Sequence, residues 1–396
     1  MNASKAIISK HSLGFFLSFA VILFVATEVV NSADIGTAAK PIRSPINIRG
    51  KYEGVGANQI VITNLKIINE AELIENMIFG FQIRELEQKG DFEKLESMAQ
   101  EFRSNKSRFR NGDWKLRAFY MSNGNVQSIG NDTTYSNLIS QLERWAAEKP
   151  DSITPRLALV AAYHGYAYLA RGGAVASQVT EQGWKLMHER MAKGYVWLRE
   201  TLKIQDKVKD PAFYAIALES FLGANVDRKI YESYFEAGIQ NSPDYEALYD
   251  YKAYYLFPRW YGEKGEWEAF VRKTTKRNDI PRSAEIFARV AIYLNELVFF
   301  YEEFSKADDA WEELKSSFHT LEKNYPNSFQ IKSICCKMSI DLWDYREARE
   351  QFNLLNGNVD LLVWTSKEAF LQAAASMNNS DAYLESRRKI AKGQLP

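Results

Sequence analysis

The residues of this sequence that could do chemistry are few, and their spacing does not suit it. Histidines stand singly at His11, His164, His188 and His319, with no His-x-x-x-His pair and no cysteine spacing that would hold zinc. Each reads by default as a core or surface residue. The only cysteines, Cys335 and Cys336, are adjacent, so a bond between them would be awkward and would staple nothing. Both act as small hydrophobes. The acidic pairs Glu302-Glu303, Asp308-Asp309 and Glu312-Glu313 fall on a charged helical face that solvation explains. No serine sits in a nucleophile elbow. Gly172-Gly173 lacks the preceding strand and the glycine spacing of a phosphate cradle. These absences imply no cofactor and no metal site, and they point to binding rather than catalysis.

Two stretches carry residues suited to binding. In 254–270, Trp260, Tyr261, Trp267 and Phe270 surround Arg259, which is placed for a cation–π contact worth roughly 0.5 to 2 kcal/mol. An aromatic helix corner is normally core, so the favoured role of these rings is to join two helices. The second stretch, 171–180, begins Arg171-Gly172-Gly173 and leads to Trp184. This loop is neither short nor polar, and such loops are often functional. Folding back to plug a gap is an equal alternative.

The elements that must position these residues are helices. Ala247, Leu248, Tyr251, Tyr254 and Tyr255 recur at steps of three and four, and Pro258 stops that helix near Phe257. Gly262 and Gly265 shape the turn, and Glu266 and Glu268 suit the start of the next helix. Earlier, Leu73, Ile74, Met77, Ile78, Phe81 and Leu86 predict one helix. Phe92, Leu95, Met98, Ala99 and Phe102 predict its partner across Gly90-Asp91. Helices are expected to end just before Pro150, Pro243 and Pro326. Thr154-Pro155 and Asp210-Pro211 read as N-caps followed by proline. Two apolar faces follow: Leu157, Val160, Ala161, His164 and Tyr168, and then Ile230, Tyr234, Phe235 and Ile239. Hairpins of this kind bury their faces by stacking. From Phe329, the small pair Cys335-Cys336 with Tyr345, Ala348 and Phe352 resembles one tetratricopeptide unit.

Composition agrees with a folded binding protein. Fifty basic and 50 acidic residues cancel, and no basic stripe supports nucleic-acid binding. Arg272, Lys273, Lys276 and Arg277, the densest basic cluster, fall where cations complement a helix C-terminus. At the N-terminus, Lys5 and Lys10 precede an apolar run over 13–26 and a small-residue stretch around Ser32 and Ala33. A secretory signal over 1–33 is expected, with an uncleaved membrane tether through 13–30 as the alternative. Either places the rest outside the cytoplasm. Pro41, Pro45 and several glycines make 34–69 a flexible tether. A helical domain over 70–281 and C-terminal helical repeats over 282–391 should follow.

Several clusters resemble a bacterial family known as domain of unknown function 4034. They are 142–145, Pro150-Asp151-Ser152, Ala170-Arg171-Gly172, Val179-Thr180-Glu181 with Gly183-Trp184, and Pro258-Arg259-Trp260-Tyr261-Gly262 with Gly265-Glu266-Trp267-Glu268. The resemblance covers about 90–272 and implies an all-helical, tetratricopeptide-like fold. It brings no catalytic residues. Phe257 departs from an expected aliphatic residue, which touches packing only.

The sequence therefore predicts an all-α, helical-hairpin solenoid. Its expected role is that of a non-enzymatic extracytoplasmic scaffold for a protein or peptide partner, through Arg171, Gly172, Gly173, Trp184, Arg259, Trp260 and Tyr261. A glycan-acting enzyme with an aromatic-lined groove and a carboxylate pair is the alternative.

Overall fold

The computed structural model describes residues 60, 62, 65–68, 72–124, 130–173, 176–296, 304, 308–342 and 344–378. Among these are 16 α-helices, and the sheet is one pair of two-residue strands. The fold is an all-α helical-repeat solenoid. The expected signal or anchor lies outside the described residues, as does most of the expected tether. Among the described residues no helix is long and apolar enough to cross a membrane.

The helices form two compact units. Residues 76–109 and 113–304 make the first, and residues 60–75, 110–112 and 308–378 the second. This division departs from a boundary at 281/282. The helix Ile286–Glu296 belongs to the first unit because Phe287, Val290, Ala291 and Leu294 are fully buried there.

In the first unit α1 (Glu72–Lys89) and α2 (Phe92–Asn105) form the predicted hairpin, with Phe79 meeting Phe102 at 5.6 Å. The buried face of α1 is not the predicted one. Ile78 and Phe81 are 50% and 52% exposed, while Phe79, Ile83 and Glu87 are buried at steps of four. Apolar residues crowd all sides of the helix through 77–81, so periodicity had nothing to select.

The array continues through α3 (Lys115–Gly124), α4 (Asp132–Glu148), α5 (Thr154–Arg171) and α6 (Glu181–Val208). After these come α7 (Ala212–Phe221), α8 (Arg228–Asn241), α9 (Ala247–Tyr255), α10 (Glu266–Thr274) and α11 (Ile286–Glu296). A buried polar network fastens its early part. Arg103 donates to Asp210 Oδ2 at 2.7 Å and to Thr154 Oγ1 at 2.9 Å, and Tyr120 donates to Asp210 Oδ2 at 2.9 Å. Thr154 is therefore not the expected cap. Ile153 holds that position, and the Thr154 hydroxyl serves Arg103 and Glu96 instead, because bonds to charged groups are the stronger. Asp210 still caps α7 through the Ala212 amide at 2.8 Å, with Pro211 between them. In α8 Phe235 and Ile239 are buried as predicted, but the first turn differs. Ile230 is exposed, while Tyr231 is buried, donating to the Tyr251 carbonyl at 3.0 Å and stacking on Tyr255.

The corner between α9 and α10 is the most aromatic in the chain. Phe257 and Trp267 are fully buried. A Cβ on Gly262 would lie 1.9 Å from the Leu256 carbonyl oxygen, so only glycine fits this turn. Glu266 and Glu268 open α10 as predicted.

The second unit contains α12 (Asp308–Asn324), α13 (Phe329–Asp341), α14 (Tyr345–Leu355), α15 (Leu361–Trp364) and α16 (Lys367–Asn378). Helices α4, α8 and α12 all end ahead of the predicted prolines. In the α13–α14 hairpin, Cys335, Cys336, Ala348 and Phe352 are buried as the tetratricopeptide comparison requires. Residues 60–68 correct the reading of 34–69 as a free tether. Ile60 and Ile62 are buried in this unit's core, and β1 (Lys66–Ile67) pairs in parallel with β2 (Asn358–Val359). The side chain of Asn378 brackets the Ile60 backbone, accepting from its amide at 2.8 Å and donating to its carbonyl at 3.2 Å. The short run Ile60-Val61-Ile62 held this signal, outweighed by the surrounding glycines and prolines.

Candidate functional site

The first unit brings together residues that the sequence keeps far apart. Arg171 closes α5, with its guanidinium over the Trp184 ring at 5.4 Å and a bond to the Gly172 carbonyl at 3.0 Å. Gly172 has φ 71° and donates its amide to the Tyr168 carbonyl, a helix end that favours glycine. Gly173 is partly exposed, and a short 3₁₀ turn, Ala176–Gln178, stands exposed beyond it. The described part of this loop thus faces solvent and plugs no gap. Trp184, in the first turn of α6, stacks near His188 and packs on Ala167, Met187 and Met191.

The second stretch divides by role. Tyr261 is structural: its ring stacks on Tyr255 at 4.7 Å and its hydroxyl donates to the Leu222 carbonyl at 3.3 Å. Arg259 is exposed and Trp260 half-buried, meeting Tyr254 edge-on at 5.6 Å.

Tyr254 touches the second stretch through Trp260 and feels the charge of Arg171 from the first. Burial pushes its phenol up, while the Trp260 indole and the guanidinium groups of Arg259 and Arg171 favour the ionised form. Tyr168, one turn before Arg171, is also raised by burial and feels Tyr254, Arg171 and Glu219. Its ring stacks on His164 at 4.8 Å. Tyr293 on α11 meets Tyr251 at 5.8 Å and Tyr254 at 6.4 Å, both edge-on. Helices α5, α7, α9 and α11 therefore present one tyrosine-rich face. Tyr168, Arg171, Glu219, Tyr254, Trp260 and Tyr293 are each partly exposed on it.

Sequence reasoning missed the charged floor of this face. Arg117 contacts Asp250 at 2.6 Å and lies over Tyr251 and Tyr293 at 5.8 and 5.5 Å. Burial pushes the Asp250 carboxyl up to about 7, against the pull of Arg117. The signal was present in Tyr249-Asp250-Tyr251-Lys252, since an acid and a base inside an aromatic helix must find partners if they are buried. Lys252 finds Glu232 and lies 5.3 to 5.5 Å from the rings of Tyr231, Phe235 and Tyr255.

His164 Nδ1, near the face, is buried without a hydrogen-bond partner, and burial lowers the imidazole pKa. Two crevices of this unit offer about 0 and 20 Å³ to a water-sized molecule. Both fall below the roughly 300 to 1,000 Å³ of small-ligand pockets. No protein family, curated protein or solved structure matches this chain. Among the described residues, no group of three or more His, Cys, Asp or Glu is arranged to hold a metal ion.

Proposed function

We propose that the protein is a non-enzymatic helical-repeat scaffold. It binds an extended protein or peptide segment across the face where Arg171, Trp260 and Tyr254 meet. The edge contact of Trp260 with Tyr254 carries this reading, together with the charge of Arg171 and Arg259 felt at the Tyr254 phenol. Aromatic rings with a few fixed polar groups suit a peptide backbone and its side chains. The N-terminal pattern of basic residues, apolar run and small residues supports a site of action in the bacterial envelope, outside the cytoplasm.

Affinity capture from envelope extract, with the wild-type chain and with Arg171→Ala plus Arg259→Ala, tests this. A partner retained by the wild type and lost by the double variant is the expected result, and identical partners for both would count against the face.

A further inference from the structure

In the second unit, α12 and α14 are joined by a chain of contacts through His319, Glu347, Gln351 and Glu322. His319 Nε2 lies 2.9 Å from Glu347 Oε1. Gln351 Nε2 donates to the same Glu347 oxygen at 2.9 Å and to Glu322 Oε2 at 3.1 Å. Gln351 is 1% exposed, and carboxylate oxygens on both sides of its nitrogen fix which way the amide points. That orientation leaves Gln351 Oε1 and Glu322 Oε1 buried with no donor. Orphaned buried acceptors are costly, and a proton on Glu322 supplies the missing donor.

We propose that two protons fasten α12 to α14, one on His319 held against Glu347 and one on Glu322 given to Gln351 Oε1. The second unit is then tightest in mildly acid surroundings and loosens as pH rises through neutrality.

The surrounding charges agree with this assignment. The bond to Glu347 raises His319 above its ordinary 6.5, against burial and the nearby Lys315 of α12. Burial raises Glu322, with Gln351, His319 and Lys332 of α13 opposing and Glu347 assisting. Glu347 is itself pushed up by burial, but His319 and Gln351 outweigh that and hold it below 4.5. Asp344, at the start of α14, is likewise held low by Lys315 and Trp311 against burial. The thiols of Cys335 and Cys336 on α13 are raised by burial and stay neutral in this range.

Groups raised on folding contribute stability below their ordinary values and lose it as pH climbs through the folded ones. That applies to His319 and Glu322. Groups held low lose theirs as pH falls, which applies to Glu347 and Asp344. For these four groups the optimum therefore lies between the ordinary glutamate and histidine values, 4.5 and 6.5.

The test uses the full chain. NMR follows the His319 imidazole through pH in the wild type and in Glu347→Gln. Hydrogen exchange over 308–324 and 345–355, corrected for the intrinsic rate, is compared at pH 5.5 and 8 in the wild type and in Glu322→Gln. His319 should titrate above 6.5 and fall back in Glu347→Gln. Wild-type protection should drop at pH 8, whereas Glu322→Gln should drop less and keep the part due to Glu322, because its amide donates without titrating. An imidazole titrating at or below 6.5, or equal protection at both pH values, overturns the proposal. If Glu347→Gln does not fold, the wild-type titration and the Glu322→Gln comparison still decide.

Discussion

Asp250→Asn gives the most quantitative test of the buried charge beneath the tyrosine face. Asp250 is 1% exposed, and burial pushes its carboxyl from an ordinary 3.8 to about 7. The folded first unit therefore holds a proton that the unfolded chain releases over this range. Stability from that proton is fully present below 3.8 and is lost as pH rises through about 7. At 1.36 kcal/mol for each pH unit of difference, the loss reaches at most about 4 kcal/mol. Asparagine cannot titrate. It leaves Arg117 without its carboxylate at every pH, which adds a constant offset but no slope. Urea unfolding of both chains at pH 4.5, 6 and 7.5 isolates the effect, because the pH dependence of all other groups cancels in the difference. The stability of the wild type relative to Asp250→Asn should fall steadily across the series, by between about 2 and 4 kcal/mol. A difference independent of pH would refute the reasoning. A difference of opposite slope would mean that Arg117 outweighs burial and keeps the carboxylate ionised.

Glu87 makes a second case: it is 1% exposed, burial pushes it up to about 8, and neither its two oxygens nor Asn123 Oδ1 has a donor. A neutral acid resolves this, so Glu87→Gln should be nearly neutral below the ordinary glutamate value of 4.5 and more stable than the wild type at about pH 9; equal destabilisation at both, in thermal melts, would count against it. Gly262→Ala should cost about 1 to 3 kcal/mol or more, because the added carbon meets the Leu256 backbone. Gly172→Ala, with open space around its Cβ, should cost only the positive-φ penalty of about 1 to 2 kcal/mol. Melting temperatures that rank the two glycines the other way would show that the turn at Gly262 can shift.

The hairpin grammar was legible because proline acts locally. Pro150, Pro243 and Pro326 each end a helix through the missing amide hydrogen and the clash with the preceding turn, wherever the helix then packs. Faces were less legible than boundaries. In α1 and α8 the sequence offers apolar residues on adjoining sides, and long-range partners chose Phe79 over Ile78 and Tyr231 over Ile230. Residues 60–68 were obscured for the same reason: their partners, Asn358, Val359 and Asn378, lie some 300 positions away. At the candidate site, Arg171, Trp184, Arg259 and Trp260 were visible as unusual residues beside glycines. The link of Arg171 to Tyr254 through charge was not, because nothing in the local spacing links α5 to α9. Asp250, Glu219 and Tyr293 remained hidden inside helices that read simply as aromatic core.

The central claim is that this face is where a partner binds. Site-specific photocrosslinking tests it most directly, with p-benzoylphenylalanine placed at position 259 and, as a control on the same unit, at position 203, where the lysine side chain is 69% exposed on α6. Irradiation of intact cells should give a discrete adduct from position 259, absent from 203 and lost when Tyr254→Ala is added. Equal adducts from both positions, or adducts from 203 alone, would contradict the account.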